Sequence, residues 1–237
     1  MKVDGKFAIF GASVTGPGHK RAGLPNQDAC LSFVKDGRIG IVLSDGLGSC
    51  TQSDKGSKAV CCAVVSAMEA EAASLEFDMP RFLKNIKCGY CESIDADEYA
   101  DYLATCLWCF SPRDGRVYAG MLGDGMIAIV DRDNNVTRMM DAKEDGFSNV
   151  VTSLSPKTEL AQWQTLSLHE HDCDRVMLCS DGVSDDLVDL DGFVREFFRE
   201  YGGRCSPDGD IADMLEKWPV PLHTDDKTII CMARRSL

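Results

Sequence analysis

Short apolar runs of strand length, spread along almost the whole chain, most constrain how this 237-residue sequence can fold. Turn pairs such as Asp36-Gly37 and Asp114-Gly115 separate several of the runs, which is a signal for β-hairpins. We therefore expect antiparallel sheets. The predicted strands are residues 7–13, 29–34, 38–44, 104–110, 116–122, 126–131, 175–180 and 227–233.

Apolar residues recur at helical spacing in three places, and this periodicity predicts helices at 57–77, 187–201 and 211–218. Strands and helices come in blocks rather than in strict alternation, which favours an α+β fold over a doubly wound parallel sheet. The sequence contains no internal repeat or low-complexity linker, so it predicts one domain over residues 1–237. Residues from about 138 to 170 are polar and irregular and are expected to form a surface excursion.

The net charge of the chain bears on which molecules it can bind. Acidic residues outnumber basic ones by 38 to 25, giving a net charge of −13 that argues against nucleic-acid binding. Solubility explains this charge, and so would many carboxylates that bind cations. No run approaches the roughly 18 apolar residues of a membrane helix. The N-terminus is predicted to be a first strand rather than a signal peptide, so a cytoplasmic protein is expected. Its cysteines are expected to be reduced, and those within apolar runs are expected to lie in the core: Cys61, Cys62, Cys179 and Cys231.

Three Asp-Gly pairs differ from the ordinary turns among the nine in the sequence. Asp45, Asp124 and Asp181 each close an apolar run and precede a glycine. A charge at the tip of a buried strand is costly unless something pairs with it. For any one aspartate, a strand that ends in a turn is an equally good explanation, but it is a weak explanation for the whole set.

Acidic residues also stand where two other runs begin. Asp225 and Asp226 precede residues 227–233, and Asp28 precedes 29–34. In an antiparallel sheet the start of one strand lies beside the end of its neighbour, so these carboxylates are expected to converge. Clustered carboxylates take up protons or bind cations, and oxygen ligands suit Mg²⁺ or Mn²⁺ better than zinc.

Five segments, in this order, resemble the PPM (protein phosphatase 2C) family of metal-dependent serine/threonine protein phosphatases, and most closely its bacterial branch. They are GASV at 11–14 with GLPNQDA at 23–29, SDGLG at 44–48 with SDKG at 53–56, LGDG at 122–125, CSDGVSD at 179–185 and HTDDKTII at 223–230. The resemblance implies a sandwich of two antiparallel β-sheets flanked by helices. It also implies hydrolysis of phosphoserine and phosphothreonine by water that two Mn²⁺ or Mg²⁺ ions activate.

The resemblance further assigns roles to individual residues. Asp45 would bridge the two ions, the Gly46 carbonyl would complete the second, and Asp181 and Asp225 would hold the first. A weaker third ion would lie at Asp124, shared with Asp181. Four further residues would hold metal-bound water or contact the metal ligands: Asp28, Gln27, Asp185 and Asp226. The substrate phosphate would contact Arg21 or His19, and the excursion at 138–170 would be the flap that helps to choose substrates.

Two departures from the family pattern bear on activity. Gln27 stands where many members have glutamate, which weakens the expected second metal site. Leu47 stands where the eukaryotic enzymes often have a histidine that protonates the leaving group. The expected partner is a phosphorylated protein, and the enzyme would reverse the action of a serine/threonine kinase. The chain is expected to be a monomer that binds neither membrane nor nucleic acid.

Four alternatives remain open at this point. Gln27 keeps open a catalytically weak or inactive binding module with the same fold. Another two-metal hydrolase, such as a nuclease, is disfavoured by the net charge. A hydrolase triad would need Ser44, Ser180 and His19 to meet in space. A zinc ribbon has the right spacing in Cys88, Cys91, Cys106 and Cys109, but positions three apart on a strand face opposite sides of a sheet.

Overall fold

A computed structural model of the chain describes residues 2–4, 7–71, 76–95, 97–141 and 152–235. All eight predicted runs are strands, with ends within two residues of the predicted ones. The strands of the described chain are β1 (Lys2–Asp4), β2 (Phe7–Val14), β3 (Asp28–Lys35), β4 (Arg38–Asp45), β5 (Cys106–Ser111), β6 (Arg116–Leu122), β7 (Met126–Val130), β8 (Val136–Met140), β9 (Gln164–His169), β10 (Arg175–Cys179) and β11 (Lys227–Arg234).

The strands form two antiparallel sheets, which confirms the predicted α+β sandwich. A six-stranded sheet has the order β1-β2-β11-β10-β7-β8, and a five-stranded sheet has the order β3-β4-β5-β6-β9. The predicted excursion at 138–170 was too wide, because its two ends contain β8 and β9. Both are edge strands with partly exposed side chains, so neither carries the continuous apolar run that marks a central strand. Residues 142–151, in the middle of the predicted excursion, lie outside the described residues.

Six α-helices pack around the sheets in the described chain. They are α1 (Pro17–Ala22), α2 (Ser53–Glu71), α3 (Met79–Ser93), α4 (Asp181–Ser184), α5 (Leu190–Tyr201) and α6 (Asp208–Glu216). The three predicted helices are present as α2, α5 and α6 with shifted ends. Helix α3 was missed, although Asp78 caps it by accepting a 3.0 Å hydrogen bond from the amide of Arg81. Its four buried residues, Phe82, Leu83, Ile86 and Tyr90, recur at helical spacing, so the sequence does carry a signal for this helix.

Three apolar layers hold the elements together. Between the sheets lie side chains such as Ile41, Leu43 and Leu178. Helices α2 and α3 cover the five-stranded sheet through a cluster around Trp108. Helices α5 and α6 cover the six-stranded sheet through a cluster around Phe197. The molecule is therefore a four-layer α-β-β-α sandwich, and none of its described helices is long and apolar enough to cross a membrane.

The cysteines are free thiols, as predicted, and they exclude the zinc ribbon. Cys106 points into the core between helices and sheet, whereas Cys109 points into the core between the sheets. Two thiols on opposite faces of β5 cannot bind one ion. Cys62 was wrongly placed in the core, since it lies on the exposed face of α2.

Candidate metal centre

The ends of neighbouring strands bring four of the predicted aspartates to one edge of the sandwich. Asp45 ends β4 directly opposite Asp28, which begins β3. Asp181 follows β10, and Asp225 lies two residues before β11, the strand paired with β10. Antiparallel pairing therefore produces the convergence that the sequence predicted.

Three of these carboxylates, those of Asp45, Asp181 and Asp225, line a cavity of about 150 Å³. Its described lining residues are His19, Gln27, Asp45, Gly46, Leu47, Gly48, Thr105, Asp124, Asp181 and Asp225. Asp124 reaches it from the turn between β6 and β7, where Gly123 and Gly125 both have φ of +97°. That conformation favours glycine, and it explains why the aspartate stands between two of them.

A second cavity of about 220 Å³ adjoins the first and shares Asp181 and Asp225 with it. Asp185 lines this neighbour rather than the first cavity. Lys227 lies beneath it, almost fully buried, donates a hydrogen bond to the Gly182 carbonyl and lies 3.3 Å from Asp186. The buried lysine was not predicted, and its only sequence signal is its position directly after the two aspartates.

Backbone hydrogen bonds fix the loop that carries Asp45. The Asp45 amide donates to Thr105 Oγ1 at 2.9 Å, and the Thr105 amide donates to the Asp45 carbonyl at 2.8 Å. The Gly46 amide donates to the Gln27 carbonyl at 3.1 Å. A Cβ on Gly46 would lie 2.5 Å from the Ser53 carbonyl oxygen, so this close approach requires glycine. No sequence pattern had singled out Thr105.

Burial and mutual repulsion disfavour negative charge at this edge. Burial raises the pKa of Asp28 to about 7, against hydrogen bonds from Thr228 and Ser180 that lower it. Burial, and then the charges of Asp28 and Asp181, raise the pKa of Asp45 well above its usual value. Burial, and then the charge of Asp181, also raise the pKa of Asp225. Such a cluster must hold protons or a cation.

At this edge the buried oxygens Asp28 Oδ1 and Asp181 Oδ1 accept no hydrogen bond from any described residue. The lining offers oxygen donors from Asp45, Asp181, Asp225 and the Gly46 carbonyl, and this donor chemistry fits a hard divalent cation. Across the described residues, no three His, Cys, Asp or Glu side chains form a closed chelating group. The oxygen atoms of these residues therefore suit a metal ion, although the described side chains do not form a closed set of ligands.

Asp226 occupies a different environment from its neighbour Asp225. Its two carboxylate oxygens accept 2.6 Å hydrogen bonds from the amides of Gly16 and Gln27. His19 Nδ1 lies 2.9 Å away, but not in the direction that a hydrogen bond needs. Asp226 therefore fastens the segment before β3 to the start of β11.

Of the two predicted phosphate-binding residues, only His19 lines the cavity. Arg21 is exposed on α1 and lines neither cavity. The hydrolase triad is wrong, because the Ser44 hydroxyl donates to the Thr105 carbonyl and the Ser180 hydroxyl donates to Asp28. Neither serine hydroxyl is directed to a histidine.

The four-layer sandwich, with a carboxylate cluster at one end of its central strands, has the fold of a bacterial serine phosphatase of known structure. The chain belongs to the protein phosphatase 2C family, whose model matches residues 15–218. It is therefore a protein serine/threonine phosphatase, and its substrates are phosphoproteins.

Several solved structures share the fold over nearly their whole length. The serine/threonine phosphatase Stp1 from Staphylococcus aureus is 18% identical, with 97% of this chain and 95% of that chain covered and a TM-score of 0.68. The photosystem II phosphatase PBCP is 14% identical, with coverage of 98% and 100% and a TM-score of 0.71. RsbX in complex with magnesium is 13% identical, with coverage of 99% and 98% and a TM-score of 0.63. Comparison with proteins of curated function gave no match.

Proposed function

We propose that this phosphatase hydrolyses phosphoserine and phosphothreonine with two divalent cations, Mn²⁺ or Mg²⁺, held by Asp45, Asp181, Asp225 and the Gly46 carbonyl. The observation that carries the proposal is the meeting of four carboxylates in one cavity of about 150 Å³. Raised pKa values at Asp45 and Asp225 support it, because burial and then mutual repulsion raise them, and a bound cation would offset both effects. Asp124, on the same cavity, would help Asp181 to hold a third ion.

Bound divalent cations supply Lewis-acid chemistry, since they lower the pKa of water and offset negative charge on a phosphoryl group. The protein contributes a fixed arrangement. Hydrogen bonds to Thr105 and Gln27 hold the Asp45-Gly46 turn, so little reorganisation is needed when substrate binds. Asp28 lies behind Asp45 and Gln27 beside it, where they would support the ligands or the water among them. Asp185 would play that part from the adjoining cavity.

His19 is proposed to contact the substrate phosphate, because it is the basic residue among the described lining residues of the cavity. Asp226 lies against its ring and would hold it in place. Arg21 stays a weaker candidate, since it is exposed and outside the cavity. Leu47 lines the cavity and has no proton to give, so the leaving alkoxide would take its proton from water.

A weak or inactive binding module is the second candidate. Gln27 on the cavity wall and the lack of a closed chelating group among the described residues favour it. Calorimetry separates the two candidates, because the phosphatase would bind Mn²⁺ with a heat that Asp45→Asn removes. The action against a serine/threonine kinase, the monomeric state and the cytoplasmic location stay predictions.

The direct test is hydrolysis of a phosphothreonine peptide by the pure protein with Mn²⁺, then with Mg²⁺, then with excess EDTA. Release of phosphate with either metal and its loss with EDTA would support the proposal. Turnover that is indifferent to the chelator would contradict a metal-dependent reaction. Mn²⁺ binding without any turnover would favour the binding module.

A further inference from the structure

A larger cavity of about 1000 Å³ lies away from the carboxylates, between α3 and residues 156–163. We call it the α3 groove. Its floor is apolar, because Leu83 and Trp163 come from the core beneath it. Leu160 adds an apolar side chain at the rim and is 51% exposed. A cavity of this size is at the upper end of the range for ligand sites, about 300–1,000 Å³.

Three lysines, Lys84, Lys87 and Lys157, line the α3 groove in a chain with a net charge of −13. Lys87 Nζ donates to the Thr158 carbonyl at 3.0 Å, and Lys157 Nζ lies 5.4 Å from the centre of the Tyr99 ring. Among the described residues, none of the three lysines forms an ion pair with a carboxylate. Their positive charge is therefore available to a ligand.

The acidic residues on the groove wall are already engaged. The Asp78 side chain caps α3, and the Glu159 side chain caps the single helical turn Leu160–Gln162. Arg81, the remaining basic residue of the lining, is bound through two hydrogen bonds to the buried Glu71. The groove thus presents lysines over an apolar floor, on a molecule whose average charge has the opposite sign.

The α3 groove is connected to the carboxylate cluster through the backbone. Gly46 pairs with Ala104, and Ala104 pairs with Leu154 on its other side. Pro156, two residues further along, lies on the groove wall. Two backbone pairs therefore separate the loop of the cluster from the segment that forms the groove wall.

We propose that the α3 groove is a docking site for an acidic, partly apolar segment of the phosphoprotein substrate. This proposal rests on the proposed phosphatase function. The lysines would pair with glutamate and aspartate side chains, and the apolar floor would bind an apolar residue between them. Because the rest of the surface repels acidic peptides, the groove would give such substrates a preferred place to bind.

A binding measurement tests the groove without any catalysis. The probe is a fluorescein-labelled, unphosphorylated peptide of alternating glutamate and leucine, added to the metal-free full-length protein. We expect binding that weakens as salt rises, and a loss of about ten-fold in affinity for the double variant Lys84→Glu/Lys157→Glu. Arg132→Glu makes a charge reversal of the same kind at an exposed site outside the groove and should bind like the wild type.

A kinetic measurement connects the groove to substrate choice. With Mn²⁺, the double variant should raise the KM of a phosphothreonine peptide with an acidic extension and leave kcat unchanged. A matched peptide with a glycine-serine extension, and para-nitrophenyl phosphate, should be hydrolysed as by the wild type. Equal thermal unfolding of the variant and the wild type would show that the fold is intact.

Some outcomes would overturn the proposal. Equal binding of the acidic peptide by the wild type and the double variant would exclude the groove as its site. A single-stranded oligonucleotide that bound more tightly and displaced the peptide would assign the lysines to another ligand. If the wild type hydrolysed no substrate with Mn²⁺, the phosphatase proposal would fail, and peptide binding would still decide what the groove does.

Discussion

Ser180 Oγ donates a 2.8 Å hydrogen bond to Asp28 Oδ2 and so joins the two sheets beside the carboxylate cluster. Ser180 follows β10 of the six-stranded sheet, and Asp28 begins β3 of the five-stranded sheet. The same hydroxyl oxygen accepts a 3.1 Å hydrogen bond from the Thr228 amide. One small side chain therefore fixes how the ends of three strands meet.

Ser180→Ala should destabilise the protein by about 1–3 kcal/mol, because it removes one hydrogen bond from the buried Asp28 carboxylate and the acceptor of the Thr228 amide. The measurement is urea unfolding. Ser184→Ala is the matched control, since the Ser184 hydroxyl is buried and forms no hydrogen bond with a described residue. Equal losses in the two variants would show that the bond to Asp28 does not stabilise the fold.

Asp45→Asn should lower phosphatase activity by at least about 100-fold if Asp45 holds the cations. The fold should remain, and the metal-free variant should be somewhat more stable than the wild type, because an uncharged group avoids the burial of a charge and relieves the repulsion at the cluster. Phosphate release and thermal unfolding measure the two effects. Asp36→Asn, in the turn at the other end of the β3–β4 hairpin, is the control and should change neither. Full activity in Asp45→Asn would remove Asp45 from the metal site.

The metal-free protein should lose stability as pH rises from about 4 to about 8. The pKa of Asp28 is raised from 3.8 to about 7, so the folded state holds this proton more tightly than the unfolded state does. Stabilisation is therefore complete below pH 4 and is lost as the pH passes the folded pKa, with a total on the order of 4 kcal/mol. Urea unfolding in EDTA at several pH values measures the slope.

The control for this pH dependence is Asp28→Asn, which should flatten the slope. Added Mn²⁺ should stabilise the wild type more at pH 8 than at pH 5.5, because protons compete with the cation for the same carboxylates. Identical slopes in the wild type and Asp28→Asn would contradict the assignment of the raised pKa to Asp28.

Asp226→Ala should destabilise the protein by about 2–5 kcal/mol, because the buried amides of Gly16 and Gln27 would both lose their acceptor. Asp226→Asn should cost less, since its one carbonyl oxygen can still accept from one of the two amides. Urea unfolding gives the order of the two losses. A larger loss in the asparagine variant would mean that Asp226 does not act as an acceptor for these amides.

Cysteine substitutions should separate core thiols from surface thiols. Cys109→Ser should cost about 1–3 kcal/mol, because it buries a hydroxyl between the sheets. Cys88→Ser, on the exposed face of α3, should change the free energy of unfolding by less than about 0.5 kcal/mol. Both proteins should contain no zinc by elemental analysis. If the wild type contained zinc and Cys88→Ser did not, the zinc-ribbon hypothesis would be restored.

The sandwich could be predicted because its central strands are buried on both faces, and such strands carry continuous apolar runs. The edge strands β8 and β9 escaped prediction for the opposite reason. Each is only partly covered, so its sequence mixes polar and apolar residues. The glycines and aspartates that end the apolar runs indicated the site as a group, because a charge at a buried strand end needs a partner.

By itself, the sequence determined which aspartates stand at strand ends, since strand length and turn chemistry are local properties of the chain. Only the tertiary structure decided which of these carboxylates share a cavity. Asp225 faces Asp45 and Asp181, whereas the adjacent Asp226 turns inward to bind backbone amides. Successive side chains at the start of a strand point in different directions, and the register between distant strands determines what each one meets.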